Sequence, residues 1–185
     1  MSIWLMNLAP SKMMRMNRKM SSNVKIRNQR VSDAKRFFDI LSNPNFVYFP
    51  VKPKSVQDEI DFLKLNVQKR KNKSEFNFSI LYKDEHVGAI GIRVDQFRPY
   101  LGEIGYFIDE KYWGKGITAR AVKQIERFIE SNLDLHRIEI RMAKKNKASE
   151  GIAIKCGYRK EGILRQFLLI GDEWHDCYMY SKIMS

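Results

Sequence analysis

Two hydrophobic periods take turns along residues 24–183, and each stretch keeps one period until a turn or capping signal ends it. Period two marks half-buried strands, and a spacing of three and four marks amphipathic helices. Residues 24–30 read as a strand. Ser32 is placed to cap a helix over 33–42, which Asn43-Pro44 stops. Ser55 caps a second helix, with Asp58 and Glu59 in its first turn and Lys69, Arg70 and Lys71 near its end, as the helix dipole prefers. Val56, Ile60, Leu63 and Val67 form its apolar stripe. Strands are expected over 76–82, 87–94 and 100–109, then a helix over 117–132. A strand over 136–143 and a helix over 147–156 follow. Two last strands, about 158–170 and 174–183, flank the turn Ile170-Gly171-Asp172-Glu173. The order β-α-α-β-β-β-α-β-α-β-β predicts a single α/β (α+β) domain: a mixed central sheet of about seven strands flanked by about four helices.

At 185 residues, the chain can bury a core. No apolar run reaches the ~18 residues of a membrane span. Cys156 and Cys177 make no disulfide framework, so a reduced, cytoplasmic setting is expected. The net charge of +13 predicts attraction to polyanions such as nucleic acid or ribosomes. Residues 1–23 carry Lys12, Arg15, Arg18 and Lys19 and no acid. They read as a basic, Met-rich, poorly ordered tail ahead of a domain spanning 24–185.

The segment from Tyr106 to Thr118 runs strand, glycine turn, helix. Gly114 and Gly116 permit positive φ and close backbone approach to a ligand. The helix start exposes unpaired N–H groups, and Lys111 and Lys115 add charge, which together suit a pyrophosphate. A tight structural connection accounts for the two glycines equally well.

Lys111 through Gly116 resembles the acyl-CoA motif [Gln/Arg]-x-x-Gly-x-[Gly/Ala] of the GNAT acetyltransferases, with Lys111 departing from Gln or Arg. Tyr112-Trp113-Gly114-Lys115-Gly116 is similar to the branch holding ribosomal-protein N-terminal and spermidine acetyltransferases. Asn146-x-x-Ser149, Lys155-x-Gly157-Tyr158 and Glu161-Gly162 resemble the same branch, as do Gly171–Asp176, Arg27, Ser32-Asp33-Ala34 and Phe49-Pro50. Arg120 stands where the branch often carries Glu. The resemblance spans about residues 24–183. It implies acetyl-CoA as cosubstrate, without a metal. Lys111, Trp113, Gly114, Lys115, Gly116, Ile117 and Thr118 would bind its phosphates. Backbone N–H groups near Phe107 and Ile108 would face the thioester, and Asn146 would hold the pantetheine arm. A bulge in the strand would open the cofactor slot.

Acetyl transfer to an amine needs a base. Period two puts Glu103, Gly105 and Phe107 on one strand face, and the resemblance makes Glu103 the base, with a structural salt bridge as its competing role. Glu139, between Arg137 and Arg141, is a weaker rival for the base and reads more as part of a solvated strand face. The Tyr that many relatives carry near position 153 is Ala153 here. The resemblance therefore points to Ser149 as the acid, a role that competes with helix capping. Tyr48 and Phe49, with Phe46, would line the acceptor site, or else cap the core. His86 and His175 fall in expected turns and show no metal-ligand spacing. The expected reaction is acetylation of a primary amine, preferably a protein N-terminal α-amine. The basic composition weighs weakly against a polyamine. Small-amine acetylation and a non-catalytic acyl-CoA-binding module are the alternatives. Expected partners are acetyl-CoA and the amine acceptor, such as a ribosomal protein N-terminus. Weak nucleic-acid or ribosome association and a homodimer complete the expectations.

Overall fold

The computed structural model describes residues 23–49 and 52–184. The tail reading lies outside these residues, as does Pro50. Seven strands form one sheet: β1 (Val24–Asn28), β2 (Glu75–Tyr82), β3 (Glu85–Val94), β4 (Leu101–Ile108), β5 (Arg137–Ala143), β6 (Arg159–Ile170) and β7 (Glu173–Ile183). Their spatial order is β1-β2-β3-β4-β5-β7-β6, antiparallel throughout except for the β4–β5 pair. The helices are α1 (Ala34–Leu41), α2 (Val56–Lys64), α3 (Asn66–Lys71), α4 (Ile117–Asn132) and α5 (Lys147–Lys155).

The expected second helix is broken at Leu65 into α2 and α3. Val67 leaves the stripe and is exposed. Ser55 caps α2 as expected: Asp58 N donates to Ser55 Oγ at 3.2 Å, and Ser55 N donates back to Asp58 Oδ2 at 3.1 Å. Ser32 does not cap α1. A 3₁₀ turn over Val31–Asp33 precedes that helix, and the Asp33 carboxylate accepts from Arg30 N at 2.9 Å. His86 and His175 lie within β3 and β7 rather than in turns.

One sheet face packs on α4 and α5. Ile117, Ala121, Val122, Ile125 and Ile129 recur at helical spacing and are fully buried against Ile90, Ile92, Ile138 and Ile140. Each such isoleucine contributes roughly 1.5–3 kcal/mol by leaving water. The opposite face carries α1 and α2, where Phe37 and Leu63 pack against Ala89 and Phe107. A polar cluster sits in that second layer. Arg27 Nη1 and Nη2 donate to Asp33 at 2.8 and 2.7 Å, and Ser79 Oγ donates to the same carboxylate at 2.6 Å.

The parallel β4–β5 pair joins only Leu101 to Arg137, Gly102 to Ile138 and Glu103 to Glu139. Beyond Glu103 the two strands part, and Ile104–Ile108 have no partner on β5. No bulge causes the parting, because the β3–β4 register runs unbroken from Gly88–Ile108 to Val94–Gly102.

Candidate active site

The sheet opens where the chemistry-bearing residues of β4 begin. Arg93, Gly91 and Ala89 of β3 face Glu103, Gly105 and Phe107 of β4 in register. These residues floor a cavity of about 490 Å³ under α1 and α2, whose walls include Phe37, Phe49 and Phe62. Glu103, Gly105 and Phe107 therefore share one face, as the strand period predicts. A Cβ at Gly105 would meet nothing within 4 Å, so the glycine leaves open space beside the carboxylate.

Glu103 Oε2 accepts from Arg93 Nη2 at 2.6 Å and lies 4.0 Å from Arg141 Nη1. The salt bridge weighed as its competing role is therefore present, and the carboxylate also lines the cavity. Glu139 corrects an expectation. It is 6% exposed, not part of a solvated face. It accepts from Arg137 Nε at 2.9 Å and from Arg141 Nη2 at 2.9 Å. Arg137 in turn clasps Glu161 with both terminal nitrogens. Two flanking guanidinium groups are what allow a carboxylate to be buried there.

Three further carboxylates line the cavity: Asp58, Glu59 and Glu75. Glu75 pairs with Lys69 at 2.7 Å. Burial, reinforced by the neighbouring charge of Asp58, pushes the Glu59 carboxyl up. Of the expected acceptor residues, Phe49 lines the cavity and stacks edge-on to Phe107 at 5.6 Å. Phe46 is buried with Ile40 and Leu41, and Tyr48 is not among the lining residues.

The glycine loop follows β4. Gly114 and Gly116 have φ of 71° and 67°, the left-handed region that favours glycine. Gly116 caps α4, so the first N–H groups of this sixteen-residue helix point out of the loop. Ile117 and Thr118 are buried beneath it. A Cβ on Gly116 would lie 3.5 Å from Lys155 Nζ and 3.9 Å from Arg120 Nη2. Sequence reasoning assigned neither cation to the phosphates; Lys155 comes from α5, 39 residues away in the chain. Arg120 Nη2 also donates to Lys115 O at 3.0 Å, tying the loop to its helix. Lys111 lies in a 3₁₀ turn, and its N–H donates to Asp109 Oδ1. Trp113 folds back: its indole N–H donates to Ile108 O at 2.9 Å. Lys115 Nζ sits over the Tyr112 ring at 4.9 Å.

Asn146 caps α5, accepting from Ser149 N at 3.1 Å. The Ser149 hydroxyl is therefore not the cap. It lies 2.9 Å from the hydroxyl of Tyr106, a residue of β4 that sequence reasoning did not single out. Tyr158 is buried at the start of β6, away from solvent.

These features fit an acyl-CoA. A glycine cradle with helix N–H groups and nearby cations suits a pyrophosphate, and the parted strands leave a slot for an extended arm. Phe107 and Ile108 end β4, the Lys111–Thr118 segment follows it directly, and Asn146 stands at the start of α5.

Comparison with known proteins agrees with this geometry. The acetyltransferase (GNAT) domain family matches residues 23–159. An uncharacterized N-acetyltransferase p20 of Bacillus licheniformis is 32% identical over 108 residues, 57% of this chain and 61% of that protein; the aligned region thus spans less than two thirds of that relative's length. The ribosomal-protein-serine acetyltransferase of Escherichia coli (strain K12) is 29% identical over 135 residues, 71% of this chain and 75% of that protein. A microcin C7 self-immunity acetyltransferase, solved in complex with acetyl-CoA and AMP, shares the fold with a TM-score of 0.79 at 21% identity, covering 87% of this chain and 92% of the other.

Proposed function

The chain belongs to the GNAT acetyltransferase family, whose members move an acetyl group from acetyl-CoA to an amine, and we propose that its acceptor is a protein N-terminal α-amine with Glu103 as general base. The observation that carries this reading is the parting of β4 from β5 immediately past Glu103, beside a cavity of about 490 Å³. A slot on one side and a cavity on the other meet at a carboxylate. The similarity to a ribosomal-protein-serine acetyltransferase supports a protein acceptor.

Acetyl-CoA, when bound, supplies an activated thioester carbonyl. Gly114, Gly116, Lys115, Lys155 and Arg120 hold its phosphates, and Asn146 and the free β4 edge hold its arm. Phe49 and Phe107 exclude water from the reacting end. Glu103 takes one proton from the acceptor ammonium, directly or through a water. The N–C bond then forms as the C–S bond breaks, with that bond's electron pair leaving on sulfur. The nitrogen's second proton, lost as it becomes an amide, balances the one sulfur gains. Ser149 donates a hydrogen bond to sulfur while its charge develops.

A second reading, acetylation of a polyamine, rests on Asp58, Glu59 and Glu75 in the cavity wall. The composition of the whole chain weighs against it, but the lining of this one cavity favours it. The test incubates the protein with acetyl-CoA and, in parallel, peptides with free or blocked N-termini, or spermidine. Acetylation of free N-termini in preference to spermidine supports the protein acceptor, and the reverse preference supports the polyamine. Acetyl-CoA binding without transfer to any amine defeats both.

A further inference from the structure

Tyr106 belongs to the stretch of β4 that has lost its β5 partner. Its side chain points to the α4–α5 face, opposite to Glu103. There its hydroxyl reaches the first turn of α5, the helix that continues from β5. The contact thus bridges the two segments whose separation makes the slot. The partners are specific: Tyr106 Oη lies 2.9 Å from Ser149 Oγ and 3.4 Å from Ser149 O.

Three observations define what this contact does. Asn146, not Ser149, satisfies the backbone of the α5 first turn, so the serine hydroxyl is not consumed by capping. Ser149 is 8% exposed, so bulk water does not solvate its hydroxyl freely. Burial pushes the Tyr106 hydroxyl well above its usual range, so it keeps its proton at any working pH. Both hydroxyls keep their hydrogens, so either can donate across the 2.9 Å contact, and the orientation in which Tyr106 donates leaves the serine hydrogen free.

We propose that Tyr106 is the positioning residue for Ser149: its hydroxyl donates to Ser149 Oγ and thereby turns the serine's own hydrogen toward the slot, where the departing sulfur needs a donor. The inference rests on the transferase reading and adds to it the residue that orients the donor. Tyr106 acts only through Ser149, and no proton leaves it.

A double-mutant cycle tests this, because a residue that acts through another loses its effect when the other is gone. Tyr106→Phe should lower kcat about tenfold, the scale of one lost oriented hydrogen bond. Its acetyl-CoA dissociation constant, measured by calorimetry on the free protein, should stay within about twofold. In a Ser149→Ala background, Tyr106→Phe should cost nothing further. Ser149→Thr, which keeps the hydroxyl, should retain both turnover and its dependence on Tyr106. Equal losses from Tyr106→Phe in both backgrounds would overturn the proposal. So would full kcat in Ser149→Ala alone, an arm that needs no tyrosine variant to fold. Wild-type turnover is the control. Its absence defeats the transferase reading itself, whereas turnover with additive losses defeats only the positioning role.

Discussion

Arg93 and Glu103 face each other across the β3–β4 register, with Nη2 2.6 Å from Oε2. The arginine side chain is 68% exposed at the cavity rim, while the glutamate lies inside. No described residue bonds the other carboxylate oxygen, Oε1, which leaves it available to an incoming amine. Glu103→Gln keeps the shape and removes the carboxylate proposed as the base. Turnover should fall roughly 10²-fold while acetyl-CoA affinity stays nearly unchanged. Steady-state kinetics beside calorimetric binding would check this, and an unchanged kcat would assign the base elsewhere.

Gly116 has a positive φ that side chains adopt only under strain, and a Cβ there would come into ordinary contact with Lys155 Nζ. Gly116→Val should cost about 1–2 kcal/mol of backbone strain and lower acetyl-CoA affinity on the order of tenfold. Isothermal titration of the variant reads this out. An undiminished affinity would remove the loop from the phosphate site.

Asp33 supplies a pH dependence. Burial opposes its charge, but hydrogen bonds from Arg27, Ser79 and Arg30 N more than compensate, lowering its carboxyl from 3.8 to about 2. A carboxylate whose folded value is depressed stabilises the fold above the unfolded value and loses that contribution as pH falls. About 2 kcal/mol should therefore disappear between roughly pH 4 and pH 2. In Asp33→Asn that portion of the acid transition should be absent, as chemical denaturation at stepped pH would show.

Glu139 is buried between Arg137 and Arg141. Glu139→Ala removes the carboxylate the two guanidinium groups share, leaving Arg137 with Glu161 and Arg141 near Glu103, and should destabilise the chain by about 2 kcal/mol. Thermal unfolding measures this. A loss below about 1 kcal/mol would mean that solvent replaces the carboxylate without difficulty.

The alternation of periods made every strand legible, because whether a strand or a helix forms depends on neighbours two to four positions apart. Ser55 with Asp58, and the glycines at 114 and 116, were legible for the same reason: a cap and a left-handed turn are satisfied within a few residues. The exceptions show where local reasoning stops. The stripe through Val67 satisfied the helical period, yet the chain breaks at Leu65 and leaves Val67 in solvent. The charged alternation around Glu139 has the pattern of a wet surface, and only ion pairing with its own strand neighbours lets it be buried.

The candidate site divides along the same line. Local spacing, with the family resemblance it carries, singles out Glu103, the Lys111–Thr118 loop, Asn146 and Ser149 as candidates. Three relationships that shape the site required the folded chain. The first is the parting of β4 from β5. The second brings Lys155 beside Gly116, and the third sets Tyr106 against Ser149 across 43 positions. Each depends on which strand neighbours which and on where a helix lands after a crossover. Those distances are set by packing two layers on one sheet, and periodicity carries no information about them.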